Sequence, residues 1–301
     1  MKRKLTISIG IPAYNEEANI KRLLRKLLVQ KAGCYILKEI IVVSDGSTDQ
    51  TVNEVKSLKR KIIKIITHKK RRGQAYSQGI VFNNAISDVI VLLNADVLPA
   101  NLSLLKNIAQ AFSKNKINGV LAGKVTPLQA NNFIESVINH SVQFKTELFE
   151  NIRGGHNLFL CHGRIRAFSK KFVKLFKWEN LLNEDAFSYL VSVRDGYDFV
   201  YEPKVEVFYR SPETLTDHLR QSQRFLVSKH ELEPFFESKL LSNEYRIPLI
   251  LFVRLLFWYL IKNPLLTILY GLLSIYSLII NRFSREYSYL FEPSKSSKKL
   301  V

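Results

Sequence analysis

The chain has 301 residues, of which 47% are hydrophobic and 24% are charged, so it can bury one large core or two smaller ones and is not a disordered chain. Lys and Arg total 45 against 26 Asp and Glu, and the formal net charge of +19 favours an anionic partner: a phosphate-bearing ligand, anionic lipid or nucleic acid. Two cysteines, Cys34 and Cys161, exclude a disulfide framework and a four-cysteine zinc site and fit a reducing compartment.

Short apolar runs alternate with helical segments along the first hundred residues. Runs rich in β-branched residues recur at positions 5–11, 39–43, 61–67 and 89–93. Between the first two runs, apolar residues from Ile20 to Leu28 recur at helical spacing, and Asn15 is predicted to cap that helix. A second helical segment, GQAYSQGIVFNNAI, lies between the last two runs. This alternation predicts an open, mostly parallel sheet flanked by helices.

Carboxylates lie where two of the predicted strands end. The segment VVSDGSTDQT places Asp45 and Asp49 directly behind the second strand, and NADV places Asp96 behind the fourth. Open α/β sheets bind ligands beyond the carboxyl ends of their strands. We therefore predict a binding site at this edge. Asp49 also precedes a helical segment, and we interpret it as the N-cap of that helix.

Six segments in chain order resemble the motifs of the family 2 glycosyltransferases of the GT-A fold. They are IPAYNEE, VVSDGSTDQT, RRGQA, LLNADVLP, NED and QSQRF. Each motif is weak alone, but their order and spacing over about residues 5 to 226 are specific. The resemblance implies an α/β GT-A nucleotide-diphospho-sugar transferase domain over 1–225, and an inverting enzyme that takes a sugar from a nucleotide diphosphate donor.

The resemblance also implies which residues bind the nucleoside of that donor. Asp45 is expected to hydrogen-bond the base while Tyr14 lies against its face, a combination that planar bases favour. Glu16 is expected near the nucleoside, and Pro12 belongs to the same opening motif.

The diphosphate of the donor is expected to meet a cation and a metal ion. Arg72, in the basic loop, is assigned to phosphate by the resemblance. Asp96 is expected to bind Mg²⁺ or Mn²⁺, which would stabilise the charge on the leaving diphosphate. The motif departs from the family pattern at Asn94, which stands where an aspartate is usual. Its amide is still able to hydrogen-bond a sugar hydroxyl or the ribose.

Two motifs in the second half of the chain are expected at the acceptor. In NED, the resemblance makes Asp185 the general base that removes the proton of an acceptor hydroxyl, with Glu184 beside it. Two carboxylates at a helix start also suit the helix dipole, and that alternative stays open. Gly163, in CHGRIRAFSK, is expected to let the backbone approach substrate. His162 is read equally as a substrate contact or as a packed side chain.

The segment QSQRF predicts a helix that presents Gln221 and Arg224 on one side, three residues apart. In the resembling motif the arginine meets the diphosphate and the next residue supports the acceptor pocket. Here Phe225 stands where the motif has Trp, which removes an indole N–H. The basic run 59–72 comes without a recognition motif for nucleic acid, so apart from Arg72 its charges are read as surface charge.

The composition changes from Ile247 onward. Residues 247–261 carry one charge, Arg254, and no charge lies between Lys262 and Arg282. At about 1.5 Å per residue that second stretch nearly spans a hydrocarbon core of about 30 Å. Amphipathic linker helices over 226–246, a membrane hairpin over 247–281 and a basic tail over 282–301 are therefore predicted. An interfacial helix pair and a soluble hairpin are the alternatives.

These features predict a membrane-associated enzyme whose partners are a nucleotide-sugar donor, a glycan or lipid-linked acceptor, and membrane lipid. No signal peptide is visible, so we expect the catalytic domain on the cytoplasmic side of the cell membrane. A polyprenyl-phosphate acceptor is the main alternative, although such a phosphate needs no general base. A nucleotidyltransferase and a catalytically silent scaffold are further alternatives. A nucleotidyltransferase would carry a glycine-rich phosphate loop near the N-terminus, which this sequence lacks. A silent scaffold would not be expected to retain the acidic motifs.

Overall fold

The structure, a computed structural model, describes residues 3–179, 181–282 and 300, and at 224–228 and 281–282 it describes the backbone alone. Its strands are β1 Leu5–Ala13, β2 Tyr35–Asp45, β3 Ile63–His68, β4 Val89–Leu93, β5 Val97–Pro99, β6 Gly119–Pro127, β7 Ile165–Ser169 and β8 Asp198–Tyr209. Its α-helices are α1 Ile20–Leu28, α2 Thr51–Ser57, α3 Gln74–Asn84, α4 Leu104–Asn115, α5 Phe133–Glu150, α6 Lys170–Leu175, α7 Glu184–Arg194, α8 Leu215–Leu232, α9 Ser238–Glu244, α10 Leu249–Lys262 and α11 Pro264–Arg282.

The eight described strands form one mixed sheet in the order β3-β2-β1-β4-β7-β6-β8-β5. β1 to β4 are parallel, which confirms the α/β alternation predicted for the first hundred residues. β7 is antiparallel to both β4 and β6, and β5 is antiparallel to β8. The carboxyl ends of β1, β2, β4 and β8 therefore meet at one edge of the sheet, and the start of β7 lies at the same edge.

The two faces of the sheet carry separate apolar cores. Along β2, Ile40 and Val42 belong to one core while Ile41 and Val43 belong to the other. Side chains alternate between the faces of a strand, so a central strand covered on both faces must be apolar throughout. This requirement explains the continuous apolar run that precedes Asp45.

The first helix begins later than predicted. α1 starts at Ile20, and Asn15 lies in a left-handed turn with φ of 52°. Asn15 therefore does not cap α1. Its side-chain oxygen instead accepts the N–H of Thr48, at 2.8 Å, which ties the turn after β1 to the turn after β2.

The C-terminal part of the described chain is helical. α8 runs continuously across the predicted boundary between residues 225 and 226. Where the hairpin is predicted, α10 and α11 both pack on α5. Within the described residues, none of the helices combines the length and the apolar character needed to cross a bilayer. Most of the predicted basic tail, residues 283–299, lies outside the described residues.

Candidate functional site

The end of β2 is tied to the basic loop by Asp45. Its Oδ1 accepts the N–H of Arg72 and its Oδ2 accepts the N–H of Gly73, both at 2.8 Å, and the side chain is buried. The next residue, Gly46, has φ of +71° and packs so closely that a Cβ there would lie 2.7 Å from the backbone nitrogen of Arg71. The sequence predicts a contact of Asp45 with the base, and that contact stays a prediction. The structure shows Asp45 holding the basic loop in place.

The two arginines of this loop point to different partners. The guanidinium of Arg71 lies over the ring of Tyr14, 4.2 Å from its centroid. Arg72 instead donates from Nη1 to the hydroxyl of Tyr76 at 2.9 Å, and its guanidinium lies 4.9 Å from the centroid of that ring. The sequence predicts surface charge at Arg71, whereas the structure places Arg71 beside the predicted base-stacking residue. The assignment of Arg72 to phosphate stays a prediction.

Glu16 lies at the junction of the turns after β1 and β2. Its carboxylate is buried, accepts the side-chain amide of Asn19 at 3.0 Å, and its own N–H donates to the Thr51 hydroxyl at 2.7 Å. Asp49 accepts the N–H of Thr51, the first residue of α2, at 3.0 Å and that of Glu17 at 3.1 Å. Asp49 thus performs the predicted capping role, from one position before the formal N-cap.

The end of β4 carries the predicted metal motif. The side-chain oxygen of Asn94 accepts a hydrogen bond from Gln74 at 2.9 Å, and its N–H donates to the Arg164 carbonyl at 3.2 Å. Asp96 is half-buried, and within the described part of the chain its carboxylate makes no hydrogen bond or ion pair. The structure therefore leaves this carboxylate available to a ligand.

The residues at this edge fit a metal that is shared with a substrate. Among the described residues there is no group of three or more His, Cys, Asp or Glu side chains able to hold an ion. Mg²⁺ is commonly bound by one or two carboxylates together with substrate phosphates and water. A single available carboxylate, Asp96, is compatible with a metal ion bound jointly by protein and substrate. It is not sufficient for a metal site formed by protein ligands alone.

The predicted general base lies at the start of α7. Oδ2 of Asp185 accepts the N–H of Gly163 at 3.0 Å, and Oδ1 accepts the N–H of Ala186 at 2.8 Å. A Cβ on Gly163 would lie 3.2 Å from Glu184 Oε1 and 3.4 Å from Asp185 Oδ2. Gly163 therefore lets the chain approach these two carboxylates closely, whereas the prediction concerned approach to substrate. The side chain of Asp185 remains partly exposed.

Glu184 faces the interior. It is 3% exposed, its Oε1 lies 3.8 Å from Nη2 of the fully buried Arg166, and it accepts from Gln78 at 3.4 Å. Arg166 also donates to the Glu184 carbonyl, the Ser188 hydroxyl and Gln78 Oε1. This network joins α3, β7 and α7. Because the carboxylate of Glu184 is turned away from solvent, its location suits a positioning residue and does not suit proton transfer to a substrate.

His162 lies between a cation and the predicted base. Burial, and then the charge of Arg164, lowers the pKa of His162 to about 4, although Asp185 acts in the opposite direction. The imidazole is therefore neutral near pH 7 and has one N–H to donate. Whether it contacts substrate or only packs stays open.

The last motif lies on α8, as predicted. Gln221 is half-buried on this helix, and the side chains of Arg224 and Phe225 lie outside the described residues. Farther along α8, Glu231 accepts the N–H groups of Leu182 and Asn183 at 2.7 and 3.1 Å, and the Asn183 side-chain amide at 2.9 Å. Glu231 thus ties α8 to the residues just before Asp185. No local sequence signal distinguishes it from an ordinary surface glutamate.

Replacing Glu231 should destabilise the protein. Glu231→Ala removes the carboxylate that accepts three hydrogen bonds from Leu182 and Asn183, which should lower the free energy of unfolding by about 1–3 kcal/mol. Urea unfolding measures this difference. The control is Glu233→Ala at the C-terminal end of α8, an exposed residue paired with the exposed His230. Equal unfolding midpoints for the two variants would show that Glu231 does not tie the motifs together.

Comparison with known proteins supports the predicted fold and family. The family model described as "Glycosyl transferase family 2" matches residues 8–176. The chain is 25% identical over 251 residues to the poly-beta-1,6-N-acetyl-D-glucosamine synthase of Staphylococcus aureus, covering 77% of this chain and 57% of that protein. It is 28% identical over 147 residues to an undecaprenyl-phosphate 4-deoxy-4-formamido-L-arabinose transferase of Pseudomonas fluorescens, covering 46% and 42%.

A solved structure shares the fold at low sequence identity. The mannosyltransferase PcManGT from Pyrobaculum calidifontis, in complex with GDP-Man and Mn²⁺, superposes with a TM-score of 0.67 at 16% identity, covering 95% of this chain and 89% of that one. The first curated relatives are longer than this chain, which spans between 31% and 57% of their length. Their whole-protein activities therefore do not transfer directly.

Proposed function

This chain belongs to glycosyl transferase family 2, and we propose that it is an inverting glycosyltransferase that moves a sugar from a nucleotide diphosphate to an acceptor hydroxyl. The proposal rests on the placement of two partly exposed carboxylates, Asp96 and Asp185, at the same edge of the sheet. Asp96 lies just after β4. Gly163 donates its N–H to Asp185, and the carbonyl of the residue after Gly163 accepts the N–H of Asn94. One carboxylate suits the donor diphosphate and the other suits the acceptor.

On the donor side, the Arg71 guanidinium lies over the Tyr14 ring, so that an aromatic ring and a positive charge lie together for the nucleotide. Asp45 holds the loop that carries Arg71, so that the surface is organised before the donor binds. Asp96 would hold Mg²⁺ or Mn²⁺. When bound, such an ion stabilises the negative charge that develops on the leaving diphosphate.

On the acceptor side, Asp185 takes the hydroxyl proton as the acceptor oxygen forms a bond to the anomeric carbon. The bond from that carbon to the diphosphate breaks in the same displacement, and the electron pair leaves with the diphosphate. Attack from the face opposite the leaving group inverts the anomeric configuration. The N–H groups of Gly163 and Ala186 orient the carboxylate for this step.

The acceptor that we favour is a hydroxyl on a glycan or on a lipid-linked sugar, in polysaccharide or glycolipid synthesis. The retained NED motif supports this choice because a hydroxyl needs a base, whereas a phosphate does not. A polyprenyl phosphate remains the alternative, and the relative from Pseudomonas fluorescens is named for that chemistry.

A donor screen tests the proposal. The full-length chain is incubated with Mg²⁺ or Mn²⁺, a panel of nucleotide sugars and sugar or lipid-linked acceptors, and the release of nucleoside diphosphate is measured. Release that depends on one donor and is lost on heat denaturation supports the function. Absence of release from every donor, with native protein of verified fold, contradicts it.

We also propose that α10 and α11 attach the enzyme to a membrane, with the catalytic domain on the cytoplasmic face. Both helices turn polar groups toward the domain. Tyr259 donates to Glu147, Lys145 donates to Tyr270, and His140 hydrogen-bonds Thr267. Large apolar side chains face outward, where water would favour polar ones. They are Leu249, Ile250, Val253, Phe257, Trp258, Ile261, Leu265, Ile268, Leu272, Ile275, Leu278 and Ile279.

Charged substitutions on that outer face should weaken lipid binding. The double variant Ile250→Glu and Phe257→Glu places two anions where the side chains are 86% and 66% exposed. We expect binding to vesicles of mixed neutral and anionic lipid to fall at least ~10-fold, because burial of each such side chain contributes about 1.5–3 kcal/mol. Vesicle co-sedimentation measures this.

The matched control is Leu175→Glu on α6, where an apolar side chain is 69% exposed away from α10 and α11. It should bind vesicles as the unsubstituted protein does. A double variant that also binds normally would exclude this face as the attachment surface. Self-association of the unsubstituted chain without vesicle binding would assign the face to a second copy instead.

A further inference from the structure

We propose that Arg164 binds a phosphate group of a substrate, at the carboxyl edge of the sheet near the predicted donor and acceptor residues. The inference rests on the glycosyl transfer proposed above and adds a residue that neither the motifs nor the fold assign. Arg164 lies at the carboxyl edge of the sheet, where its backbone carbonyl accepts a hydrogen bond and its side chain contacts an aromatic ring.

The position of Arg164 follows from its neighbours. It comes directly after Gly163, whose N–H donates to Asp185, and its carbonyl accepts the N–H of Asn94. Its guanidinium carbon lies 3.9 Å from the centroid of Tyr209. Tyr209 pairs in the sheet with Val97, the residue after Asp96. Arg164 therefore has neighbours on both sides: Gly163, which binds the predicted base, and the strand ends beside the predicted metal ligand.

The charge of Arg164 has no counterion among the described residues. It makes no ion pair there, and this distinguishes it from Arg166 and Arg210. Its buried Nε has no hydrogen-bond partner, as is also true of the Nε atoms of those two arginines. Other shielded arginines of this protein are paired. Arg210 lies 3.1 Å from Glu135, and Arg166 lies 3.8 Å from Glu184. A partly buried cation without a counterion favours an anionic ligand, because burial of an unpaired charge is costly.

The geometry suits phosphate in particular. A guanidinium is planar and presents paired N–H donors that match two phosphate oxygens. The guanidinium lies over the Tyr209 ring, and within the described residues its N–H groups make no hydrogen bond, so they are available to donate to a ligand. Two substrates offer a phosphate here: the diphosphate of the donor, and the phosphate of a phosphorylated acceptor.

The test uses the full-length protein and three variants. Arg164→Ala removes the charge, Arg164→Lys keeps the charge without the planar pair of donors, and Arg164→Gln keeps a planar side chain without charge. The control is Arg194→Ala at the end of α7, which removes an exposed arginine paired with its neighbour Asp195. Thermal unfolding verifies that each variant is folded, and any one folded Arg164 variant suffices.

The probes separate the two sources of phosphate. Calorimetric titration with UDP and with GDP, beside the corresponding nucleosides, reports the donor. If the donor supplies the phosphate, Arg164→Ala should weaken diphosphate binding ~10- to 100-fold and leave nucleoside binding unchanged, with Arg164→Lys between. If the acceptor supplies it, diphosphate binding should stay normal while the KM for polyprenyl phosphate rises ~10-fold or more.

Normal diphosphate affinity in folded Arg164 variants would overturn the proposal, and leave the glycosyltransferase function intact, if the KM for polyprenyl phosphate is also normal or if the unsubstituted protein does not use that acceptor. Absence of sugar transfer by the unsubstituted protein would contradict the function instead. In that case the diphosphate titration still decides the Arg164 proposal, because it requires no turnover: an unchanged affinity in the variants overturns it.

Discussion

Asp185→Asn should lower sugar transfer ~10²- to 10⁴-fold, the range typical of losing a general base. Asparagine keeps the shape of the side chain but not its basicity. Both oxygens of Asp185 accept backbone N–H groups, so the amide must lose one of these bonds, which should cost about 1 kcal/mol of stability. Donor nucleotide binding should stay within a few-fold, because the residue lies on the acceptor side.

Transfer assays beside calorimetric titration of donor nucleotide separate the two effects. Asp195→Asn, at the other end of α7 and paired with Arg194, is the matched control and should leave both quantities unchanged. Near-normal transfer by Asp185→Asn would identify Asp185 as a structural carboxylate at a helix start. Complete loss of nucleotide binding would also contradict the division between donor and acceptor sides.

Asp96→Ala should remove metal-stimulated turnover, with a loss of ~10²- to 10³-fold, because a metal at the leaving group supplies several kcal/mol. Asp96 makes no internal hydrogen bond or ion pair among the described residues, so its replacement should leave the fold intact. Nucleoside diphosphate release with Mn²⁺, Mg²⁺ or EDTA measures the effect. Loss of Mn²⁺ binding provides a readout that is independent of activity.

The companion variant is Asn94→Asp, two residues away, which restores the more usual acidic residue. It should remain active or improve, because an aspartate is able to accept the same hydrogen bond from Gln74. Equal activity of Asp96→Ala and the unsubstituted protein would exclude Asp96 as the metal ligand.

Much of the sheet and of the motif placement was predictable because the signals are local. The apolar run before Asp45 predicts a buried strand, and the structure has β2 there. The capping role of Asp49 also depends only on the residues that follow it. Asn15 shows the limit of local reasoning. Asn is a residue type that commonly caps helices, yet Asn15 adopts a left-handed conformation. Its side-chain oxygen accepts the N–H of Thr48 in the next loop.

Neighbouring residues were enough to predict the α/β class and the edge of the sheet that carries Asp45 and Asp96, since strand periodicity and turn chemistry are local properties. Which charges are available to a ligand follows only from the tertiary contacts. Glu184 is paired with Arg166 and buried, whereas Asp185 beside it stays partly exposed. Two adjacent arginines, Arg71 and Arg72, have different partners. Pairing and burial depend on residues far apart in the chain, which periodicity does not encode.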